Sequence, residues 1–354
     1  MHINKYKFSI LLISIASFTI LTGQGCFIFS SNKNPDGGIY RSDNGGLDWE
    51  QKGFIGTVKK ETLTINSYSA GRIIFHPTDP NIIYFGTLGN GIYRTDDGGE
   101  RWQITGRQTG TVKAMGIDAN TPEILYAGNG SNIDKTSDGG VTWQRVYTES
   151  RPELTLSYIV VDQKNTSHIL AGNSGGVLLE SDDYGQTWQV NHDFLGDILR
   201  IYIHPNDNNA YFIISSNGGL QRSDDRGITW TSLNSELSKY PGAKKIYDLD
   251  FDPRQPSRIY IASQYGLLKS EDLGNSWEAP KTLIPNNTQA IRNVVISHEN
   301  PNIIYITTSD KFHISKDSGE TWEVISPPTN RLINRLEQNP INGSQLFIGT
   351  YLEK

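Results

Sequence analysis

The sequence predicts an all-β protein, a seven-bladed β-propeller of four-stranded blades, and three observations support this fold. First, the phrase Ser/Thr-x-Asp-x-Gly-x-x-Trp occurs seven times, with Asn in place of Asp once, and successive tryptophans are 53, 41, 45, 42, 47 and 45 residues apart. A period near 45 residues indicates an array of similar units. Second, two short apolar runs such as 72–77 and 82–87 precede six of the copies. Third, each end of the chain carries half of a unit.

The repeated phrase is predicted to be the hairpin turn between the two outer strands of each blade. An Asp or Asn in a turn accepts backbone N–H groups, Gly permits a positive φ, and Trp covers the turn with an apolar ring. Because each part serves folding, we assign these residues a structural role. The third positions are Asn44, Asp97, Asp138, Asp183, Asp225, Asp272 and Asp317, and the tryptophans are Trp49, Trp102, Trp143, Trp188, Trp230, Trp277 and Trp322.

The two half-units are predicted to close the ring by forming one shared blade. The first phrase, at 38–49, has no strand pair before it, and the last strand pair, at 334–341 and 345–350, has no phrase after it. A blade built from both termini would hide the sheet edges that an open array leaves unpaired. We therefore expect one closed domain over residues 37–354.

The phrase resembles the Asp-box, or BNR repeat. The wider pattern, with 76–87 followed by 91–99, is similar to propellers of the sortilin type, of xyloglucanase-like glycoside hydrolases and of photosystem II assembly factors. The resemblance covers roughly residues 37–354 and implies the fold. It implies less about function, because the shared motif lies on the scaffold.

The N-terminal segment is predicted to direct export. Lys5 and Lys7 precede a run of 14 residues, 8–21, in which only Ser and Thr are polar, as in a signal peptide. Cys26, the single cysteine, follows Gly25 and resembles the lipidated cysteine of a bacterial lipoprotein, although Gly23 departs from that pattern. We expect a signal peptide at 1–26, a linker at 27–36 and a lipoprotein at the cell surface or in the periplasm, with secretion as the alternative.

Composition and motifs exclude several function classes. The net charge is −6 and the charges are dispersed, which argues against a nucleic-acid binder. The sequence contains no phosphate-binding loop, no nucleophile elbow, no paired cysteine ligands and no His-x-x-x-His. We expect no cofactor, no metal site and a monomer.

The starts of the inner strands carry more polar residues than strands of this kind usually do. When these strands are aligned on Phe75, the position three residues earlier is polar in six of seven blades. Since inner strands surround the central channel of a propeller, these side chains are candidates for binding an anion or a carboxylate-bearing chain. The ligand-binding candidates are Arg72, Tyr158, Arg200, Asp248, Asn293 and Arg335.

Two functions remain in competition at this stage. The first is a non-enzymatic binding or assembly protein that holds a protein, peptide or glycan at its rim, where the loops 53–71 and 232–245 would be displayed. The alternative is a glycoside hydrolase, xyloglucanase-like or sialidase-like, whose carboxylates would be Asp248, Asp250 and Glu337. The resemblance implies a cleft between two propellers for xyloglucanases, and every tryptophan is committed to a turn. The sequence therefore favours binding over catalysis.

Overall fold

The computed structural model describes residues 35–106 and 110–353, and the chain from Pro35 onward forms one compact unit. Within these residues the protein is all-β, with a single short helix at Asn234–Leu237. Seven antiparallel sheets of the same strand order form the blades of a propeller, as predicted. The described residues contain no helix that is both long and apolar enough to cross a membrane. Cys26, the signal-peptide segment and most of the linker lie outside the described residues.

Each blade begins with an innermost strand and a second strand that pairs with it. The innermost strands of blades one to seven are Ala70–Phe75, Met115–Ile117, Leu156–Val161, Ile198–His204, Ile246–Phe251, Asn293–Ile296 and Leu332–Gln338. The second strands are Ile83–Gly89, Leu125–Asn129, Ile169–Asn173, Asp207–Ser215, Ile259–Ser263, Ile304–Thr307 and Leu346–Tyr351. Most side chains of the second strands are buried on both faces, since each blade is covered by its two neighbours.

The third and fourth strands form the outer part of each blade. The third strands are Ile92–Thr95, Asn132–Thr136, Val177–Ser181, Gly219–Ser223, Leu267–Ser270, Phe312–Ser315 and Ile39–Ser42. The fourth strands are Gln103–Ile104, Gln144–Thr148, Gln189–Asp193, Thr231–Ser232, Glu323–Ile325 and Glu50–Gln51. Blade five departs from the four-stranded prediction, because its fourth strand is reduced to one bridge between Lys269 and Glu278.

The seventh blade combines the two ends of the chain, as predicted. Its order is Glu50–Gln51, Ile39–Ser42, Leu346–Tyr351 and Leu332–Gln338, all antiparallel. Ile39 pairs with Gly349 and Ser42 with Leu346. These pairings join residues more than 300 positions apart and close the ring. The facing edges of the strands Ile39–Ser42 and Leu346–Tyr351 are thereby hydrogen-bonded to each other.

The repeated phrase forms the same hydrogen-bonded turn in all seven blades. In blade two, the Thr136 hydroxyl accepts the N–H of Gly140 and donates to Asp138, whose carboxylate accepts the N–H of Thr142. Equivalent bonds recur in the other six copies. The glycine at the fifth position has a positive φ in each, from 78° in Gly185 to 98° in Gly99, which explains its invariance along the chain.

Hydrogen bonds from the hydroxyl and backbone of Thr142 lower the pKa of Asp138 to about 2. Thr187 has the same effect on Asp183, whose pKa is also about 2. These carboxylates are exposed and stay ionised over the whole range in which proteins usually fold. The turn aspartates are thus held as structural acceptors.

Third-strand cations join the turns of neighbouring blades. The guanidinium of Arg41 donates to the carbonyl of Gly98, and that of Arg94 donates to Gly139, over 2.7 and 3.0 Å. Lys135 donates to Tyr184, and Arg222 to Leu273, in the same way. Each acceptor is the fourth residue of the next blade's phrase. The repeat therefore stabilises the junctions between blades as well as the turns themselves.

The seven tryptophans are not equally buried. Trp102 is fully buried and its indole N–H donates to the carbonyl of Lys52. A hairpin inserted before blade one, Phe54–Val58 paired with Glu61–Thr64, lies against this residue. The backbone N–H of Trp102 donates to the carbonyl of Phe54 in this hairpin. Trp277 is 9% exposed. The other five are only partly buried.

The two predicted rim loops have local structure of their own. The loop 53–71 contains the inserted hairpin, and the loop 232–245 contains the helix Asn234–Leu237. A further short strand, Gly110–Thr111, pairs with the second strand of blade one. The polar side chains described next lie on the inner strands.

Candidate active site in the central channel

The inner strands bring all of the sequence-predicted channel residues into one cavity. Alternation along a strand turns residues two apart to the same side, so that Asp248 and Asp250 face the channel while Leu249 between them is buried in the blade. The cavity has a volume of about 460 Å³. The predicted residues that line it are Arg72, Tyr158, Arg200, Asp248, Asp250, Asn293, Arg335 and Glu337.

Asp248 is held by groups from the blades on both sides. Its carboxylate accepts a hydrogen bond of 2.8 Å from the Tyr202 hydroxyl and one of 3.3 Å from the backbone N–H of Val294. The nearest guanidinium nitrogen of Arg200 lies 3.7 Å away. Burial and the charge of Asp248 raise the pKa of Tyr202 well above its usual value, so this hydroxyl remains a donor.

Asp250 lies two residues beyond Asp248 on the same strand and accepts hydrogen bonds from backbone groups. Burial raises the pKa of its carboxyl to about 8, and the charges of Asp248 and Glu337 act in the same direction. Backbone N–H groups of Ile296 and Phe251, at 2.7 and 2.9 Å, oppose this rise without cancelling it. No guanidinium pairs with Asp250 among the described residues. Its carboxyl is therefore protonated at neutral pH.

Glu337 lies across the cavity on the inner strand of blade seven. Burial raises the pKa of its carboxyl, although the charge of Arg72 opposes the rise. The Arg72 guanidinium is 3.7 Å from the carboxylate, which is too long for a hydrogen bond. Both side chains are mostly buried.

Three guanidinium groups share the cavity with these carboxyls. Burial lowers the pKa of Arg335 to about 9, and repulsion from Arg200 and Arg72 adds to this effect. Arg335 donates to the carbonyls of Gly71 and Asn334. The Tyr158 ring lies between the other two arginines, with its centroid 4.6 Å from the Arg72 guanidinium carbon and 5.8 Å from that of Arg200. These contacts are cation–π distances.

Asn293 lines the cavity, but its amide is already committed. The side-chain N–H donates to the hydroxyl of Thr307 over 2.6 Å, and the residue is 2% exposed. This contact favours a structural role for the Asn293 amide, since one of its donors is used within blade six. Among the predicted ligand-binding residues, it is the least available.

Two parts of this site were not predicted from the sequence. Tyr202, which orients Asp248, occupies the same strand position as Asp250 and Glu337, and that alignment was the available signal. A second cavity of about 350 Å³ shares Arg200 and Arg335 with the first and is also lined by Tyr247 and Arg292. Its lining comes mostly from strands of three different blades, so no single motif marks it.

One further group of side chains has the geometry of a possible metal site. Ligand atoms of His168, Glu180 and Asp182 lie within 4.8 Å of one another. However, one imidazole nitrogen of His168 is 2.8 Å from Asp182, and the other is 2.8 Å from the Tyr211 hydroxyl. The group thus connects blades three and four through direct hydrogen bonds, and it lies apart from the residues that line the channel cavity.

The channel has the chemical components of acid–base catalysis. Asp250 can donate a proton at neutral pH, and Asp248 presents a carboxylate on the same face of the same strand. Two carboxyl groups whose environments differ in this way can act as acid and base in one reaction.

Comparison with known proteins agrees with the fold. Residues 176–266 match the family described as sortilin, neurotensin receptor 3. An oligoxyloglucan-reducing end-specific xyloglucanase of Emericella nidulans is 21% identical over 296 residues, covering 73% of this chain and 32% of that protein. The photosystem II assembly lipoprotein Ycf48 of a Synechococcus strain is 21% identical over 251 residues, covering 70% of this chain and 72% of that protein.

Solved structures show the same architecture. The crystal structure of a xyloglucanase from Xanthomonas campestris superimposes with a TM-score of 0.63 at 16% identity, covering 80% of this chain and 51% of that one. This likeness shows a shared fold. The chain spans about a third or less of the length of the curated xyloglucanases that it matches.

These findings correct the sequence-based preference for a non-enzymatic binding or assembly protein, which is wrong. Xyloglucanases recur among both the relatives and the solved structures, and they favour the glycoside hydrolase alternative. The preference for binding rested on the commitment of every tryptophan to a turn and on the cleft between two propellers that the resemblance implies for xyloglucanases. In the structure, the carboxyl groups meet inside one channel, and the aromatic side chains beside them are Tyr158 and Tyr202.

The relatives include a lipoprotein, and they agree with the export of this chain. The repeated phrase, the closed ring and these relatives point to one conclusion. The predicted similarity of this chain to seven-bladed propellers of the sortilin type, the xyloglucanases and the photosystem II assembly factors is confirmed.

Proposed function

We propose that the protein is an exported glycoside hydrolase that cleaves a polysaccharide or oligosaccharide in its central channel. One observation carries this proposal. Asp250, whose pKa is about 8, shares a cavity of about 460 Å³ with the Asp248 carboxylate and with Glu337. Glycosidases in general use two carboxyl groups, one protonated and one ionised, on either side of the scissile bond. The xyloglucanase relatives support the same chemistry.

In this proposal Asp250 is the general acid. It gives its proton to the glycosidic oxygen as the bond from that oxygen to the anomeric carbon breaks. Asp248, oriented by Tyr202 and Val294, removes a proton from the attacking water. All of these groups belong to one chain, so we propose that the monomer is active.

The two acidic residues can be tested directly. Purified protein is incubated with xyloglucan, its oligosaccharides and a panel of other polysaccharides, and new reducing ends are measured. We expect Asp250→Asn and Asp248→Asn to lower the rate roughly 100- to 10,000-fold, because each removes one partner of the acid–base pair. Glu278→Gln, at an exposed carboxylate of blade five, is the matched control and should keep the wild-type rate.

The stability of each variant is measured by thermal unfolding, so that loss of activity is separated from loss of structure. If the folded wild-type protein releases no reducing ends from any substrate, the hydrolase proposal is wrong. It is also wrong if Asp250→Asn and Asp248→Asn keep full activity.

We further propose that the enzyme is anchored to the membrane by a lipid on Cys26. The carrying observation is the position of this cysteine five residues beyond the apolar run. Stable anchoring needs more than one acyl chain, as bacterial lipoproteins have. Labelled fatty acid should appear in the wild-type protein and be absent after Cys26→Ser. A mature chain that starts well beyond Cys26 and carries no label would contradict this anchoring.

A further inference from the structure

The channel cavity is lined by three guanidinium groups, and only two of them lie close to a carboxylate. Arg72, Arg200 and Arg335 contribute three guanidinium groups. Of the three acidic residues, Asp250 is protonated at neutral pH, because burial raises its pKa to about 8. That leaves Asp248 and Glu337, each 3.7 Å from a guanidinium. Arg335 makes its hydrogen bonds to backbone carbonyls, so its charge has no such partner in the cavity.

The guanidinium groups also have unused donors. A guanidinium offers five N–H bonds. Arg72 Nε is buried and has no hydrogen-bond partner. Arg200 donates to the carbonyl of Leu199, and its separation from Asp248 exceeds hydrogen-bond length. A buried donor without a partner is costly, so a ligand that accepted these bonds would be bound favourably.

Tyr158 fixes the spacing of two of these cations. Its ring lies between Arg72 and Arg200 and contacts both guanidinium groups. Two like charges in a dry cavity would otherwise separate or turn toward solvent. The ring attracts both cations, and Arg72 Nε is left without a hydrogen-bond partner. A carboxylate matches the planar fork of an arginine and accepts two parallel hydrogen bonds from it.

Positive charge continues beyond this cavity. Arg200 and Arg335 also line the adjoining cavity of about 350 Å³, where Arg292 lies over the Tyr247 ring at 4.3 Å. A single small anion would need only one cluster of donors. Cations along two adjoining cavities suit a chain that carries carboxylates at intervals.

We propose that the substrate is an acidic glycan, and that Arg72, Arg200 and Arg335 bind the carboxylate of a uronic acid residue next to the cleaved bond. This inference rests on the hydrolase proposal and defines its substrate class. Arg200 lies 3.7 Å from Asp248, and Arg72 lies 3.7 Å from Glu337. A carboxylate bound by these arginines would therefore lie next to the proposed active-site carboxyl groups. It also separates this chain from relatives whose names refer to xyloglucan.

The test compares a trisaccharide that carries carboxylates with a neutral trisaccharide. Binding of trigalacturonate and of neutral cellotriose to the full-length protein is measured by calorimetry. We expect trigalacturonate to bind at least roughly tenfold more tightly at low salt and to lose this advantage as salt increases. Arg72→Gln and Arg335→Gln should each weaken its binding roughly 10- to 100-fold, while cellotriose binding stays unchanged.

Three controls keep the test decisive. Arg101→Gln removes an exposed guanidinium of the outer turns and should not alter binding. Arg335→Lys keeps the charge but loses the planar fork, so it should bind with intermediate affinity. Thermal unfolding shows whether a variant that fails to bind is folded.

The outcomes also separate this inference from the hydrolase proposal. Cleavage of neutral glycans with equal affinity for both probes would overturn the acidic-glycan inference and support the hydrolase. Tight binding of trigalacturonate without cleavage of any polysaccharide would overturn the hydrolase and support the anion subsite. Tighter binding of triglycine than of trigalacturonate would overturn the glycan class, since a peptide carboxylate would then be the preferred ligand.

Discussion

Carboxyl groups of the turns, at Asp138 and Asp183, and of the central channel, at Asp250, have pKa values that are shifted in opposite directions. In the turns, one residue type recurs at each equivalent position, and hydrogen bonds lower the pKa of Asp138 and Asp183 to about 2. In the channel, equivalent positions carry different residues, and burial raises the pKa of Asp250 to about 8. Residues that repeat at equivalent positions along this chain therefore belong to the scaffold. Departure from repetition at equivalent positions indicates chemistry.

The largest expected effect concerns closure of the ring, on which both regions depend. Deleting residues 332–354 removes both inner strands of blade seven and leaves Ile39–Ser42 without its partner. We expect aggregation, because two sheet edges become exposed. Sedimentation and circular dichroism measure this. A chain that ends at Tyr351 keeps both strands and should fold, and a soluble, cooperatively folded deletion would contradict the shared blade.

The second prediction concerns unequal burial within the ring of turns. Trp102→Ala removes a fully buried ring and should lower the free energy of unfolding by about 3–5 kcal/mol. Trp143→Ala removes a partly buried ring and should cost less, about 1–2 kcal/mol. Denaturant unfolding measures both. Equal losses would show that the inserted hairpin over Trp102 adds nothing to the repeat.

The third prediction concerns the hydroxyl at the centre of a turn. Thr136→Val keeps the shape but removes the acceptor of the Gly140 N–H, and it should destabilise the protein by about 1–3 kcal/mol. Thr142→Val removes an exposed hydroxyl that contacts the same Asp138, and its effect should stay within about 0.5 kcal/mol. Glycan cleavage should be unchanged in both. Activity lost without any change in stability would show that the turns take part in function.

The smallest expected effect concerns the channel alone. Asp250 must be protonated to act as the acid, and its pKa is about 8. Hydrolysis should therefore fall about tenfold for each pH unit above about 8. Initial rates across pH measure this, and the residual rate of Asp250→Asn should lack the fall. A wild-type rate that stays constant from about pH 6 to about pH 10 would remove Asp250 from the acid's role.

Much of the fold could be predicted because its determinants are local. The hydroxyl residue, the Asp or Asn and the Gly of each phrase form hydrogen bonds among themselves and with near neighbours, and the Trp143 indole donates within its own phrase, so the spacing is readable along the chain. The shared blade followed from counting strands at the two ends. The reduced fourth strand of blade five was not predictable in this way, since one bridge at Lys269 and a longer strand have similar local sequences.

The candidate site could be predicted only in outline. Strand alternation placed Asp248 and Asp250 on one face, and alignment of the blades grouped them with Arg72 and Glu337. The bond from Tyr202 to Asp248 crosses between blades, and no periodic signal reports such a contact. The preference for binding over catalysis failed for the same reason. Residue types alone did not show that burial would raise the pKa of Asp250, or that Tyr202 would donate to Asp248.

By itself, the sequence determined the repeat, the turn chemistry, the number of blades and the way in which the ring closes. These features depend on spacing and on interactions between near neighbours. Only the tertiary structure decided which carboxyl has a raised pKa, how the Tyr158 ring contacts two arginines, and which guanidinium groups lie beside a carboxylate. Such properties depend on burial and on distances between residues from different blades. A linear sequence specifies these quantities only after the chain has closed on itself.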